Sequence, residues 1–190
     1  PGEQWASNRD VRLSPMNTAQ KALGATFFET AGWERPFWYA SNEGLLAEYG
    51  DAVMPRTAEW DSRWWSPIIN AEHLAMRDRA GVVDLTAFSL FDVIGPKALD
   101  GVQRLCVQNV DVKLGRVVST PVLSARGGFK ADLTVMRLGE NHFRVVTGGA
   151  HGNLDRKWFA DHLPEGAYVS DQTSAFTTIG LWGPKARDIL

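Results

Sequence analysis

The stretch Arg116-Val-Val-Ser-Thr-Pro-Val-Leu-Ser-Ala-Arg-Gly-Gly-Phe-Lys-Ala-Asp-Leu-Thr-Val-Met-Arg-Leu138 decides the fold. Two β-branched runs flank the cluster Ser124-Ala125-Arg126-Gly127-Gly128, which is the pattern of a hairpin. The glycine pair predicts backbone at positive φ, a region that side chains disfavour. Just past the turn, Asp132 enters a strand that otherwise reads Leu-Thr-Val-Met-Arg-Leu. Strands are poor in Asp, so its place needs a reason. Two readings stand: a solvent-facing acid beside a turn, or a functional acid at the mouth of a pocket.

Upstream of the hairpin, Ser66-Pro67 predicts a helix start, with Ser as N-cap and Pro at the first helical position. Ile68, Ala71, Leu74 and Ala75 recur at helical spacing, and Gly81 closes the run. Val82 to Ile94 reads as extended, bent at Asp84-Leu85-Thr86. A second helix is expected from Gly95-Pro96-Lys97-Ala98 through Cys106. Downstream, 141–147 forms a third strand after a tight turn, and 154–163 a helix with Trp158 and Phe159 inward. Residues 168–170 and 176–181 are further strands. The segment 91–98 is echoed at 179–186, where a strand again runs into Gly-Pro-Lys-Ala, with Pro expected at N1 both times. Hairpins combined with such strand-to-helix units predict an α+β fold, a mixed and largely antiparallel sheet with flanking helices.

Residues 1–65 show little periodicity but hold Trp5, Trp33, Trp38, Trp60, Trp64 and Trp65, six of the eight tryptophans. So irregular a segment is expected to dock its aromatics on the domain that follows or on a neighbour. The expected division is therefore 1–65, an aromatic-rich connecting segment, and 66–190, the hairpin-bearing domain. The chain begins without Met and stops in an unfinished helix at Ala186-Arg187-Asp188-Ile189-Leu190, which predicts a piece of a longer polypeptide.

Composition narrows the function. The 190 residues are 44% hydrophobic and 22% charged, with a net charge of -2. No basic run offers a footprint for nucleic acid or an anionic membrane, and no apolar run approaches a membrane span. The single cysteine, Cys106, reads as a buried thiol and predicts a cytoplasmic, reducing setting. Neither phosphate-cradling glycine motif occurs, and the four histidines lack metal-ligand spacing, so no metal site is expected.

Several segments together carry a resemblance: Glu72-His73-Leu74-Ala75-Met76-Arg77, Gly81-Val82-Val83-Asp84-Leu85-Thr86, Gly95-Pro96-Lys97-Ala98, Gly127-Gly128 with Asp132-Leu133-Thr134-Val135, and 181–187. In order and spacing they resemble the aminomethyltransferase (glycine cleavage T-protein) folate-binding domain. Upstream, Arg12-Leu13-Ser14-Pro15 and Gly32-Trp33-Glu34-Arg35-Pro36 resemble the segment preceding that domain in FAD-dependent dimethylglycine and sarcosine dehydrogenases. The resemblance implies that 66–190 is the N-terminal part of such a domain, following an FAD domain.

It also implies tetrahydrofolate-dependent one-carbon transfer, within a flavin-linked enzyme that demethylates N-methyl amines. Asp132 falls on the family's key acid. Phe88, Ser119, Thr134, Met136 and Thr147 fall on positions that line the pocket. The family's acid pair is Ala131-Asp132 here, Ser119 replaces a frequent aromatic, and Thr147 stands where the glycine-cleavage branch has Asn. Two alternatives remain at this level, a non-catalytic folate-binding or interaction module and a stand-alone folate-dependent demethylase.

Overall fold

The computed structural model describes residues 6–58 and 65–190. Trp5, Trp60 and Trp64 lie outside the described residues. In chain order the elements are α1 (Asn17–Ala22), β1 (Ala25–Thr30), β2 (Trp33–Tyr39), α2 (Gly44–Tyr49), α3 (Pro67–Asp78), β3 (Gly81–Asp84) and β4 (Ser89–Ile94). They continue with α4 (Ala98–Leu105), β5 (Val117–Leu123), β6 (Phe129–Gly139), β7 (His142–Thr147), α5 (Gly152–His162), β8 (Tyr168–Asp171), β9 (Ile179–Trp182) and α6 (Ala186–Ile189). The chain divides into two compact units, one of residues 1–85 and 177–190, the other of residues 86–176.

The second unit holds the hairpin. Its five strands run in the order β5-β6-β7-β4-β8, and every ladder is antiparallel. β7 lies between β4 and β6, and β4 lies between β7 and β8. β4 and β6 thus run parallel with β7 between them, joined through α4 and the edge strand β5, and β7 and β8 run parallel with β4 between them, joined through α5. The predicted sheet was mixed; its parallel pairs are never adjacent, so the ladders themselves are wholly antiparallel. One face packs α4 and α5 over Phe91, Val93, Val102, Val135, Phe143, Val145 and Phe159. Phe91 and Phe159 meet edge to face with centroids 5.2 Å apart.

The turn of the β5–β6 hairpin is closed by Ser124 N–H to Gly128 O (2.8 Å) and Gly127 N–H to Ser124 O (2.9 Å). Only the first glycine, Gly127, takes positive φ, at 77°. The echoed corner proves geometric. Gly95 has φ 118° and Gly183 has φ 112°, and each accepts from the alanine three residues on, Ala98 or Ala186. In both copies the helix starts at that alanine with Lys97 or Lys185 as N-cap. Pro96 therefore precedes the helix instead of occupying N1, and the glycine turns the corner. A Cβ on Gly95 would stand 2.4 Å from Gly166 O, and one on Gly183 2.4 Å from Arg79 O.

In the first unit, residues within 6–58 form regular elements where the sequence shows little periodicity. Within 6–58 the chain forms the hairpin β1–β2, with Ala31 (φ 52°) and Gly32 (φ 83°) as the paired positive-φ turn residues that suit strand twist. A register shift between Thr26 and Phe27 fits Pro36 into the ladder. Trp33 is buried and carries the Arg12 guanidinium 4.0 Å above its ring. Glu34, also buried, takes both Arg9 nitrogens at 2.7 and 2.8 Å. In α3 the Ser66 hydroxyl caps Ile68 N–H as predicted, but the helix ends at Asp78, and Gly81 opens β3. β3 pairs with β9 antiparallel.

Candidate functional site

Period-two alternation in β6 sorts its side chains. Leu133 and Val135 are buried against the helices, so Asp132, Thr134 and Met136 point to the opposite face. The ladder pairs Thr134 with Ser119 of β5 and Asp132 with Pro121, which puts Ser119 on that same face. Four of the six predicted site residues thus share one sheet face. Ser119 and Thr134 are direct cross-strand neighbours, about 5 Å apart. Asp132 lies one step along from Thr134, about 7 Å away. Its carboxylate is exposed and makes no hydrogen bond or ion pair among the described residues.

Phe88 and Thr147 come to the same end of the sheet, since Ser89 pairs with Thr147 and Phe88 immediately precedes it. Thr147, however, follows Phe143 and Val145 in parity and turns to the helix side. It is buried, and its hydroxyl donates to Asp155 Oδ2 at 2.5 Å. The sheet itself therefore separates the Thr147 side chain from Asp132. A cavity of about 300 Å3 also lies on the helix side, between Val122, Lys130, Ala131, the α5 N-cap His151 and the α5 residues Leu154 and Trp158. It leaves Asp132 out.

The sheet face of Asp132 carries a charged group that the sequence reading missed. Met136 pairs with Arg144 of β7, which pairs with Asp92 of β4. Arg144 grips Asp92 through Nε (2.8 Å) and Nη2 (2.9 Å), while His142 Nε2 meets Asp92 Oδ2 at 2.8 Å. Burial pushes the Asp92 carboxyl up, but the hydrogen bonds from Arg144 and His142 outweigh it and hold it below the usual carboxylate range. Phe176 stacks under the Arg144 guanidinium at 4.0 Å. The available signal was Asp92 itself, an acid inside Leu-Phe-Asp-Val-Ile, which a buried strand tolerates only with a cation beside it.

The arrangement is a polar strip on one sheet face: an exposed carboxylate, two hydroxyls and a thioether, bounded by a neutralised Arg–Asp pair. Such a strip can accept N–H donors and stabilise a cation, and it holds no nucleophile activated by a base. Among the described residues no three His, Cys, Asp or Glu side chains gather as metal ligands.

Comparison with known proteins then decides the family. The GCVT N-terminal domain matches residues 16–190. The chain belongs to that family. It is 34% identical to 4-methylaminobutanoate oxidase (formaldehyde-forming) of Paenarthrobacter nicotinovorans, over 100% of the chain and 22% of that protein. It is 27% identical to the mitochondrial pyruvate dehydrogenase phosphatase regulatory subunit of Mus musculus, over 100% of the chain and 22% of that protein. Against mitochondrial dimethylglycine dehydrogenase of Rattus norvegicus it is 28% identical, over 99% of the chain and 21% of that protein. The chain thus spans about a fifth of these curated relatives. The structure of the glycine cleavage system aminomethyltransferase T from Bartonella henselae shares the fold, with TM-score 0.73 and 24% identity, over 95% of the chain and 43% of that structure. The resemblance drawn from the hairpin and its flanking motifs is borne out, and so is the α+β fold.

Proposed function

We propose that this GCVT N-terminal domain binds tetrahydrofolate and serves one-carbon transfer within a flavin-linked enzyme that demethylates N-methyl amines. The observation that carries the reading is Asp132, a carboxylate without a partner among the described residues, on a sheet face shared with Ser119, Thr134 and Met136. Bound tetrahydrofolate supplies amine nitrogens that take up a one-carbon unit. Asp132 accepts an N–H from the bound ligand and stabilises the positive charge that develops as the carbon is transferred. Ser119 and Thr134 orient the ligand beside it, and Met136 gives an apolar wall. Phe88 closes the end of the strip, and Thr147 acts through the backbone at the end of β7, its side chain being engaged by Asp155.

The remaining parts of the proposal concern the longer protein. Residues 1–65 lead from an upstream FAD domain, which performs the amine oxidation, into the folate-binding domain at 66–190, and this chain alone does not turn over. Its setting is cytoplasmic, the lone buried Cys106 suiting a reducing compartment. No helix among the described residues is long and apolar enough to cross a membrane.

The test is Asp132→Ala in the full-length protein, assayed with N-methylated amines with and without tetrahydrofolate. Formation of methylene-tetrahydrofolate should fall by about 10²–10³, as when a group stabilising developing charge is removed, while amine oxidation continues. Unchanged methylene-tetrahydrofolate formation would sink the proposal. A second reading, a non-catalytic folate-binding or interaction module, is favoured by the similarity to a regulatory subunit. That reading predicts folate binding lost in Asp132→Ala and no one-carbon product from the unaltered protein.

A further inference from the structure

Two cavities within the first unit play no part in the folate reading. One, of about 360 Å3, lies among Phe37, Tyr39, Glu72, Met76, Val82 and Asp84. The other, of about 330 Å3, lies beside α1 among Met16, Gln20, Leu23, Tyr39, Val82 and Asp84. They share Tyr39, Asn42, Val82 and Asp84, so they adjoin along one wall. Each falls within the volumes typical of small-molecule pockets, about 300–1,000 Å3.

Their walls carry two carboxylates and one cation. The ionisable groups there, besides the Tyr39 phenol, are Glu72, Asp84 and Arg79, and Arg79 is ion-paired with Glu48. Glu72 Oε1 accepts from Tyr39 N–H (3.0 Å) and Asn42 Nδ2 (2.8 Å), which leaves Oε2 without a partner among the described residues. Gln20 is only 6% exposed; its Nε2 donates to Asp84 Oδ2 at 2.8 Å, and its Oε1 is a buried acceptor with no donor among the described residues. Burial, with the Asp84 and Glu72 carboxylates next, pushes the Tyr39 phenol up. The rings of Phe37 and Tyr39 and the side chains of Met76, Leu45 and Val82 complete the lining. Carboxylates, aromatic faces and apolar groups around one space match the chemistry of an alkylated ammonium ion.

We propose that the paired cavities bind a small alkylammonium ion, its charge facing Glu72 and Asp84 and its alkyl groups against Phe37, Tyr39 and Met76. The proposal is independent of the folate reading, because none of these residues lies on the Asp132 strip. The test is calorimetric titration of the full-length protein with tetramethylammonium and with tert-butanol, an uncharged body of similar size. Tetramethylammonium should bind saturably and at least about tenfold more tightly than tert-butanol. Glu72→Gln keeps an oxygen for the Tyr39 and Asn42 donors but removes the charge, and should weaken the cation about tenfold. Val82→Trp, at a position 62% exposed, should fill the shared wall and weaken both probes without altering the melting temperature. Equal affinity for the two probes, undiminished cation binding in a folded Glu72→Gln protein, or no saturable tetramethylammonium binding would each overturn it.

Discussion

Asp92 is 5% exposed in the middle of β4 and is nonetheless held as a carboxylate, because Arg144 and His142 meet both of its oxygens. Removing it strands a largely buried guanidinium, so Asp92→Ala should destabilise by about 2–4 kcal/mol, read from the urea midpoint at constant slope. The pH dependence has a definite sign. The folded carboxyl titrates below its unfolded value, so its contribution is complete above about pH 4 and is lost as pH falls through the lower folded value. Glu34, held down chiefly by the Arg9 hydrogen bond, adds to the same acid loss. Glu72 runs the other way. Burial raises its carboxyl, so folding is opposed as pH rises from the unfolded toward the folded value. Urea midpoints should therefore show Glu72→Gln gaining on the unaltered protein between pH 4 and 7, while Asp92→Ala closes its deficit below pH 4. Cys106 is buried, and burial pushes its thiol up to about 12, so it should resist thiol reagents at pH 8 until the protein unfolds.

Among the elements, the glycine corners and the hairpin turn share positive φ and differ in room. A Cβ at Gly127 meets nothing within 4 Å, so Gly127→Ala should cost only the backbone strain, about 1 kcal/mol. At Gly95 the same change adds a collision with Gly166 O, and thermal melts should show a loss at least about twice as large. These elements also mark what the sequence carries on its surface. The β5–β6 hairpin was readable because β-branched runs flank a glycine turn, and α3 because Ser66-Pro67 is a local signal that needs no tertiary partner. The β1–β2 hairpin was not, since its turn is Ala31-Gly32 and its strand contains Arg35-Pro36, which break both expected patterns. On the site, the face of Asp132 follows from its parity with Leu133 and Val135. The same rule applied to Phe143, Val145 and Thr147 places the Thr147 side chain among the buried ones, where motif resemblance alone gives no direction. The Arg144–Asp92 contact joins residues 52 positions apart and becomes visible only once β4 and β7 are paired.

At the scale of the whole molecule, the second unit is a single uninterrupted insertion, residues 86–176, between the two segments of the first. Its two ends are already joined, with Gln172 N–H on Leu90 O (2.8 Å) and Leu90 N–H on Thr173 Oγ1 (3.1 Å). Expressed alone, 86–176 should therefore fold in one cooperative transition with its own core, and a non-cooperative melt would contradict that. The ladder of β3 with β9 closes the long loop that the insertion forms, and Leu85 N–H to Thr178 O (2.8 Å) is its last hydrogen bond. With the insertion unfolded, that ladder must bring together ends separated by some 90 residues of flexible chain. With it folded, the effective loop shrinks to a few residues, roughly four halvings, which lowers the entropic cost of closure by about 2–3 kcal/mol. Folding of the insertion thus helps the four-residue ladder that closes it. Phe143→Ala, which opens a cavity far along the chain, should speed amide exchange at β3 and β9 as well as in the sheet where the phenyl ring sits.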